Sequence, residues 1–261
     1  LREVIGSWLE TRFQLKPGSV NPDINILPVC GTREAIFSFT QATLDKSSYG
    51  KTPLVITPNP FYQIYEGATI LASAEVHLLS CGAKEQFKPD FSAVSADIWQ
   101  RCQLLQLCSP GNPTGALIEP NQMELVIELA DKYDFIIASD ECYSELYLDE
   151  DRPPVGLLQV CKDLGRDNYS RCVVFHSLSK RSNLPGLRSG FIAGDNKLIQ
   201  QFLKYRTYHG CSMSLPVQKA SIAAWNDELH TIENRSLYRK KFSAVTSILG
   251  ECLDFPEPKA S

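Results

Sequence analysis

At 261 residues, 43% of them hydrophobic and 21% charged, the chain is long enough to bury a sizeable core and bears no compositional mark of disorder. A net charge of -4 and a pI near 5.7 give no electrostatic footprint for nucleic acid, which is therefore not expected as a partner. The longest apolar runs, such as Phe135-Ile136-Ile137-Ala138, fall far short of the roughly 20 residues of a membrane-spanning helix, so no membrane association is expected.

In chain order, Leu1-Arg2-Glu3-Val4-Ile5 already reads as helix, with neither Met nor a leader ahead of it. Ile26-Leu27-Pro28-Val29-Cys30 is a strand-like run, and Gly31-Thr32-Arg33-Glu34 leads from it into a helix predicted over 32–44. Strands are predicted over 54–57, 75–79, 103–108, 135–139, 172–176 and 191–193, and helices over 62–72, 122–133 and 197–205. Within 122–133, Met123, Val126, Ile127 and Ala130 recur at i, i+3, i+4 and i+7, which makes one helical face. A long helix over 228–249 starts after Trp225-Asn226, with Asp227 as its cap. The chain stops at Pro256-Glu257-Pro258-Lys259-Ala260-Ser261, and both ends are expected to be cuts through a longer protein.

Strands alternating with helices predict an α/β fold, a three-layer α/β/α sandwich around a mainly parallel sheet. In such sheets ligands sit beyond the carboxyl ends of the strands. Nine cysteines, with no Cys-x-x-Cys pair and no Cys/His pair at zinc spacing, read as buried reduced thiols and point to a reducing cytoplasm. The four histidines (His77, His176, His209, His230) share no spacing suited to a metal, and none is expected.

The chemistry-bearing residues follow the strands. Gly31-Thr32 at a helix start offers free N–H groups to an anion such as phosphate, and ordinary capping by Thr32 is the plainer alternative. Tyr62, after Pro58-Asn59-Pro60-Phe61, has a face that could stack on a ring, or it could simply sit at a rim. Ser109-Pro110-Gly111-Asn112-Pro113-Thr114-Gly115 is a rigid turn carrying an amide. Asp140, beyond the run 135–139, would be costly to bury without a cation, and a protonated pyridine nitrogen is such a partner. Ser177-Leu178-Ser179-Lys180 puts a lysine among small hydroxyls just past a strand, a setting for a depressed pKa and condensation with a carbonyl. Arg188, eight residues on, has the guanidinium geometry for phosphate oxygens. Taken singly, Lys180 reads as a solvated surface charge and Asp140 as a solvated loop acid. Their order and common location beyond strand ends give them weight.

Asn112-Pro113-Thr114-Gly115, Asp140-x-x-Tyr143 and Ser177-x-x-Lys180 with Arg188 resemble, in the same order, the signature of the class I/II aminotransferases of fold type I. The resemblance covers essentially the whole chain. It implies a pyridoxal phosphate-dependent enzyme with amino-acid and 2-oxo-acid substrates, acting as a homodimer. By the same resemblance Lys180 is the lysine that holds pyridoxal 5'-phosphate and later carries the proton. Asp140 is the partner of the ring nitrogen, and Tyr143 and Asn112 are donors to the phenolic oxygen. Gly31, Thr32, Arg33 (through its backbone), Ser177 and Arg188 hold the phosphate, and Tyr62 stacks on the ring. Residues 1–226 correspond to the cofactor-binding large domain and 227–261 to a helix leading into a largely missing small domain. The wording of residues 27–35 and 180–190 is most like bacterial succinyldiaminopimelate aminotransferases, which implies N-succinyl-LL-2,6-diaminopimelate as donor, 2-oxoglutarate as acceptor and a place in lysine biosynthesis. Alternatives are an aspartate- or aromatic-type aminotransferase, a β-lyase on the same fold, and a non-catalytic ligand-binding module. A Rossmann-type dehydrogenase is discounted, because no Gly-x-Gly-x-x-Gly follows a strand.

Overall fold

A computed structural model describes residues 1–47 and 52–253. Seven strands form one sheet: β1 (Ile26–Val29), β2 (Leu54–Asn59), β3 (Glu75–Ser80), β4 (Cys102–Cys108), β5 (Ile136–Asp140), β6 (Cys172–Ser177) and β7 (Gly190–Gly194). Their order is β1-β7-β6-β5-β4-β2-β3. Neighbours from β6 to β3 pair parallel, and β7 runs antiparallel to both β6 and β1. The mainly parallel sheet expected from the sequence is present, with β7 as its one reversed strand.

Successive residues of the central strands point to opposite faces, and both faces are apolar. Ile137, Cys172 and Val174 join one buried cluster with Leu9 of α1 (Arg2–Arg12), Met123, Val126, Ile127 and Ala130 of α5 (Pro120–Tyr133), and Leu157 of α6 (Leu157–Asp163). Ala138, Val173 and Phe175 join the opposite cluster with Ile36 and Phe39 of α2 (Thr32–Thr43), Tyr65 of α3 (Ile64–Leu71) and Phe202 of α8 (Asn196–His209). Helices therefore cover both faces, giving three layers. The four apolar residues of α5 that share a face in the sequence are all buried. Pro120 opens that helix, and Asp134 closes it in the left-handed region at φ 62°.

Four further helices were not read from the sequence: α4 (Ala96–Arg101), α6, α7 (Leu178–Arg181) and α9 (Leu215–Asn226). The first three span two turns or fewer, too few residues for a period to register. Along α9 only Ser221 and Trp225 are buried, and one of them is polar, so no apolar stripe marks the helix. The final helix, α10 (Leu229–Leu249), begins one residue later than expected. Glu228 takes the cap position, and the Asp227 carboxylate accepts from the Leu229 N–H at 2.9 Å. The predicted small-domain remnant over 227–261 lies outside the described residues beyond position 253. Among the described residues no helix is long and apolar enough to cross a membrane.

Topology decides where the site lies. Strands β2, β4, β5 and β6 all end at one edge of the sheet, as parallel strands must. Because β7 is reversed, its first residue, Gly190, pairs with Ser177 at the end of β6 and with Val29 at the end of β1. The segment entering β7, with Arg188, and the segment leaving β1, with Gly31, therefore reach the same edge.

Candidate active site

At that edge a cavity of about 500 Å³ is lined by Thr32, Arg33, Tyr62, Asn112, Asp140, Cys142, Tyr143, Ser177, Ser179, Lys180, Pro185 and Arg188. Of the site residues expected from the sequence, only Gly31 does not itself line it, and Gly31 precedes Thr32. Residues separated by as many as 156 positions are brought together by strand order rather than by local sequence.

Lys180 lies on α7, the single turn that follows β6 directly. It is half-buried, with Nζ 5.2 Å from the centre of the Tyr143 ring. Ser177 is the N-cap of this turn: its Oγ accepts from the Ser179 N–H at 3.1 Å and donates to the Ser189 carbonyl at 3.3 Å. On the far side, the Asn112 amide donates to the Tyr143 hydroxyl at 3.3 Å. Burial pushes the Tyr143 phenol up, so at neutral pH it keeps its proton and can donate.

Asp140 is the last residue of β5 and is 5% exposed. Its Oδ2 accepts from the Tyr65 hydroxyl at 2.8 Å and its Oδ1 from the Cys142 N–H at 3.2 Å. Both donors are neutral, and among the described residues no cation is in salt-bridge contact with it. Burial raises the Asp140 carboxyl above its ordinary value, opposed mainly by the hydrogen bonds from Cys142 and Tyr65 and less by nearby His176. Tyr65 itself is buried, and burial with the neighbouring Asp140 raises its phenol well above the ordinary range, so it stays a donor.

At the other end, Gly31 is the N-cap of α2 with φ 89°, a conformation glycine adopts without steric cost. Capping by Thr32 does not occur: its hydroxyl lies 3.0 Å from Cys142 Sγ. Glu34 reaches back instead and accepts from the Cys30 N–H at 2.8 Å. The Arg188 guanidinium packs over Gly31, donating to the carbonyls of Pro185 at 2.9 Å and Cys30 at 3.4 Å. A Cβ built on Gly31 would run into Nη2 and lie 2.9 Å from Cζ of Arg188. The glycine therefore lets a guanidinium lie against the start of a helix, where cation and free N–H groups face the same space. Tyr62 stands in the loop before α3 rather than in the helix, and its hydroxyl accepts from Arg33 Nε.

Tyr65, Cys142 and Ser179 were not singled out in the sequence. Ser179 and Cys142 lie between recognised residues, and that spacing could have flagged them. Tyr65 reads as an apolar helix position; its hydroxyl matters only because α3 packs beside β5. Glu34, His209 and Cys211 also gather within 4.8 Å of one another, a grouping that histidine spacing did not suggest. Both Glu34 oxygens already accept from Arg206, at 2.8 and 3.1 Å, and the Cys211 carbonyl accepts from the same guanidinium at 2.6 Å. The place of a cation there is taken by Arg206.

Residues 11–259 match the family model for aminotransferase class I and II. An LL-diaminopimelate aminotransferase of Dehalococcoides mccartyi is 30% identical over 265 residues, an overlap of 100% of this chain and 64% of that protein. The crystal structure of an aminotransferase from Neisseria meningitidis Z2491 superposes with a TM-score of 0.92 at 50% identity, over 100% of this chain and 64% of that one. The aminotransferase AspB from Helicobacter pylori 26695 gives a TM-score of 0.88 at 36% identity, over 98% and 65%. This chain thus spans a little under two thirds of the length of these relatives.

Proposed function

The chain belongs to the class I and II aminotransferases, a pyridoxal phosphate-dependent family, and on that premise we propose that it forms the cofactor-holding part of an enzyme that transfers an amino group from an amino acid to a 2-oxo acid. The observation that carries this reading is the convergence of Lys180, Asp140, Tyr143, Asn112, Ser177 and Arg188 on one cavity at the carboxyl edge of the sheet.

The residues fit the cofactor in two independent respects. Asp140 is a buried carboxylate with neutral donors only, a position that a ring-bound cation would relieve. At the opposite end, glycine at position 31 leaves room for the Arg188 guanidinium at the start of α2, a donor set suited to a phosphate dianion. Thr32, Arg33 through its backbone, and Ser177 complete that end, and Tyr62 offers a face to the ring.

When bound, pyridoxal phosphate supplies an aldehyde that condenses with amines and a ring that accepts electron density from the substrate's Cα. Lys180 provides the amine that holds the aldehyde. Lys180 Nζ, when free, would take the proton from the substrate's Cα as general base and deliver it as general acid to the carbon that came from the aldehyde. Asp140 would favour a protonated ring nitrogen by placing negative charge beside it. Tyr143 and Asn112, joined by a hydrogen bond at 3.3 Å, would donate toward the cofactor's phenolic oxygen. Arg188, Ser177 and the N-terminus of α2 hold the phosphate, so the reacting carbon stays within reach of Lys180.

The donor is proposed to be a diaminopimelate, consistent with the D. mccartyi relative's name and with the wording of residues 27–35 and 180–190; the N-succinyl form is the narrower version. The acceptor is proposed to be 2-oxoglutarate, and the setting cytoplasmic lysine biosynthesis by a homodimer. Residues 1–226 form the large domain in this scheme and 227–261 the start of a small one. The test is to incubate the chain with cofactor and candidate donors, with and without 2-oxoglutarate. Transamination gives glutamate only when the oxo acid is present and is abolished in Lys180→Ala. Ammonia released without an acceptor, or full turnover by Lys180→Ala, would overturn the reading.

A further inference from the structure

The turn that carries Lys180 does not hold itself. α7 is four residues long, and an isolated helix of one turn is unstable in water. Ser177 caps its amino end, and the rest of what fixes it comes from its carboxyl side. Arg181, the next residue, is 1% exposed, and its guanidinium packs against two indoles that touch each other, 5.5 Å from Trp8 of α1 and 4.9 Å from Trp225 of α9. It donates to the Ala224 carbonyl at 2.8 Å and to the Asp227 carbonyl at 3.4 Å, and it is paired with Glu228 at the start of α10. The carbonyls of Lys180 and Arg181, among those a helix end leaves without internal partners, accept from the side-chain amide of Asn234 on α10, each at 3.4 Å. None of Trp8, Trp225, Glu228 or Asn234 lines the cofactor cavity.

We propose that Asn234 directly, and Glu228 through Arg181, are positioning residues for Lys180: the start of α10 sets the backbone from which Nζ reaches the aldehyde. The proposal rests on the reading of Lys180 as the cofactor lysine. It separates two properties that share one cavity. Recognition of phosphate and ring rests on Gly31, Arg188 and Asp140 together with Ser177, and among the described residues α10 makes no hydrogen bond or ion pair to any of them. Capture of the aldehyde depends on where α7 stands, which α10 controls. Loosening α10 should therefore slow capture and leave recognition alone.

The experiment uses the chain with Asn234→Ala and, separately, Glu228→Gln. Asn234 is half-buried and the Glu228 side chain is 51% exposed, so neither change empties the core. Two quantities are measured for each. One is the rate at which pyridoxal phosphate becomes fixed to Lys180, by timed borohydride quenching and peptide mapping. The other is the affinity for 4'-deoxypyridoxine phosphate, which keeps ring and phosphate but has no aldehyde. In Asn234→Ala the capture rate should fall roughly tenfold, the order expected for a lost hydrogen-bonding group, while analogue affinity stays within about twofold. Glu228→Gln should act in the same direction with a smaller effect. Unchanged capture in both variants overturns the proposal, and so does a parallel loss of capture and analogue binding, which marks a general structural role. A wild-type chain that takes up no label on Lys180 overturns the assignment of that lysine, and the positioning role with it.

Discussion

Replacing Asp140 by Asn should change the chain in opposite directions depending on whether cofactor is bound. Asp140 is 5% exposed and receives hydrogen bonds from Tyr65 and from the Cys142 N–H, both neutral. Burial holds its folded pKa above the ordinary 3.8. The native state thus binds the proton more tightly than the unfolded state does. Asp140's contribution to stability is most favourable below pH 3.8 and is lost as pH rises through the raised value. Asparagine has the same shape and no charge. Without cofactor, Asp140→Asn should therefore be the more stable form at pH 7, by about 1–3 kcal/mol, the scale of a buried group short of partners. For a chain of this size that is about 2–4 °C in Tm for each kcal/mol. The gain should shrink toward zero as pH is lowered to 3.8. With pyridoxal phosphate the sign reverses: a charge-assisted bond of about 1.5–3 kcal/mol is lost, weakening affinity by roughly 10- to 150-fold. Thermal unfolding of cofactor-free protein between pH 4 and 8, together with fluorescence titration of the cofactor, measures both. A variant that is less stable without cofactor at pH 7, or that keeps wild-type affinity, would refute the reasoning.

Gly31→Ala puts a side chain into the Arg188 guanidinium at a backbone φ of 89°, so affinity for phosphate-bearing analogues should fall about tenfold and stability by about 1–2 kcal/mol; equilibrium dialysis and a melting curve check the two. Arg235, 4% exposed, bridges Glu145 and Glu150 with its guanidinium over the Tyr147 ring, and Arg235→Ala should cost about 3–5 kcal/mol in denaturant unfolding because partners of a buried charge are left behind. Among the nine free thiols, exposed Cys252 should alkylate first, while buried Cys102, whose thiol burial pushes up, and buried Cys172, pushed up by its hydrogen bond with Cys161 and by burial, should resist iodoacetamide by at least about tenfold until the chain unfolds; mass spectrometry of timed samples reads the order.

How much of this was legible beforehand varies with how local the cause is. The strands β4, β5 and β6 are mostly apolar because both their faces are covered, and such runs are visible in one dimension. The residues just past those runs were legible for the same reason, since in a parallel sheet every strand delivers its next residues to one edge. The reversal of β7 left no trace in its composition, yet it is what carries Arg188 to Ser177. Tyr65 could not be recognised, because its hydroxyl meets Asp140 across 75 positions of sequence. α7 could not be recognised as a helix, because beyond the Ser177 cap its one turn is held by contacts of Arg181 with Trp8 and Trp225 and by Asn234, all distant in sequence. The buried pairing of Arg12 and Arg235 with Glu145 joins three segments whose charges, taken singly, read as surface.

The central claim is that Lys180, not any other lysine, holds the cofactor. Pyridoxal phosphate added to the purified chain, reduced with borohydride and followed by peptide mapping, tests it directly. A single pyridoxyl label on the peptide bearing Ser177-Leu178-Ser179-Lys180, absent in Lys180→Ala, is the result expected. Label spread over exposed lysines, placed on one other lysine, or absent altogether would contradict it.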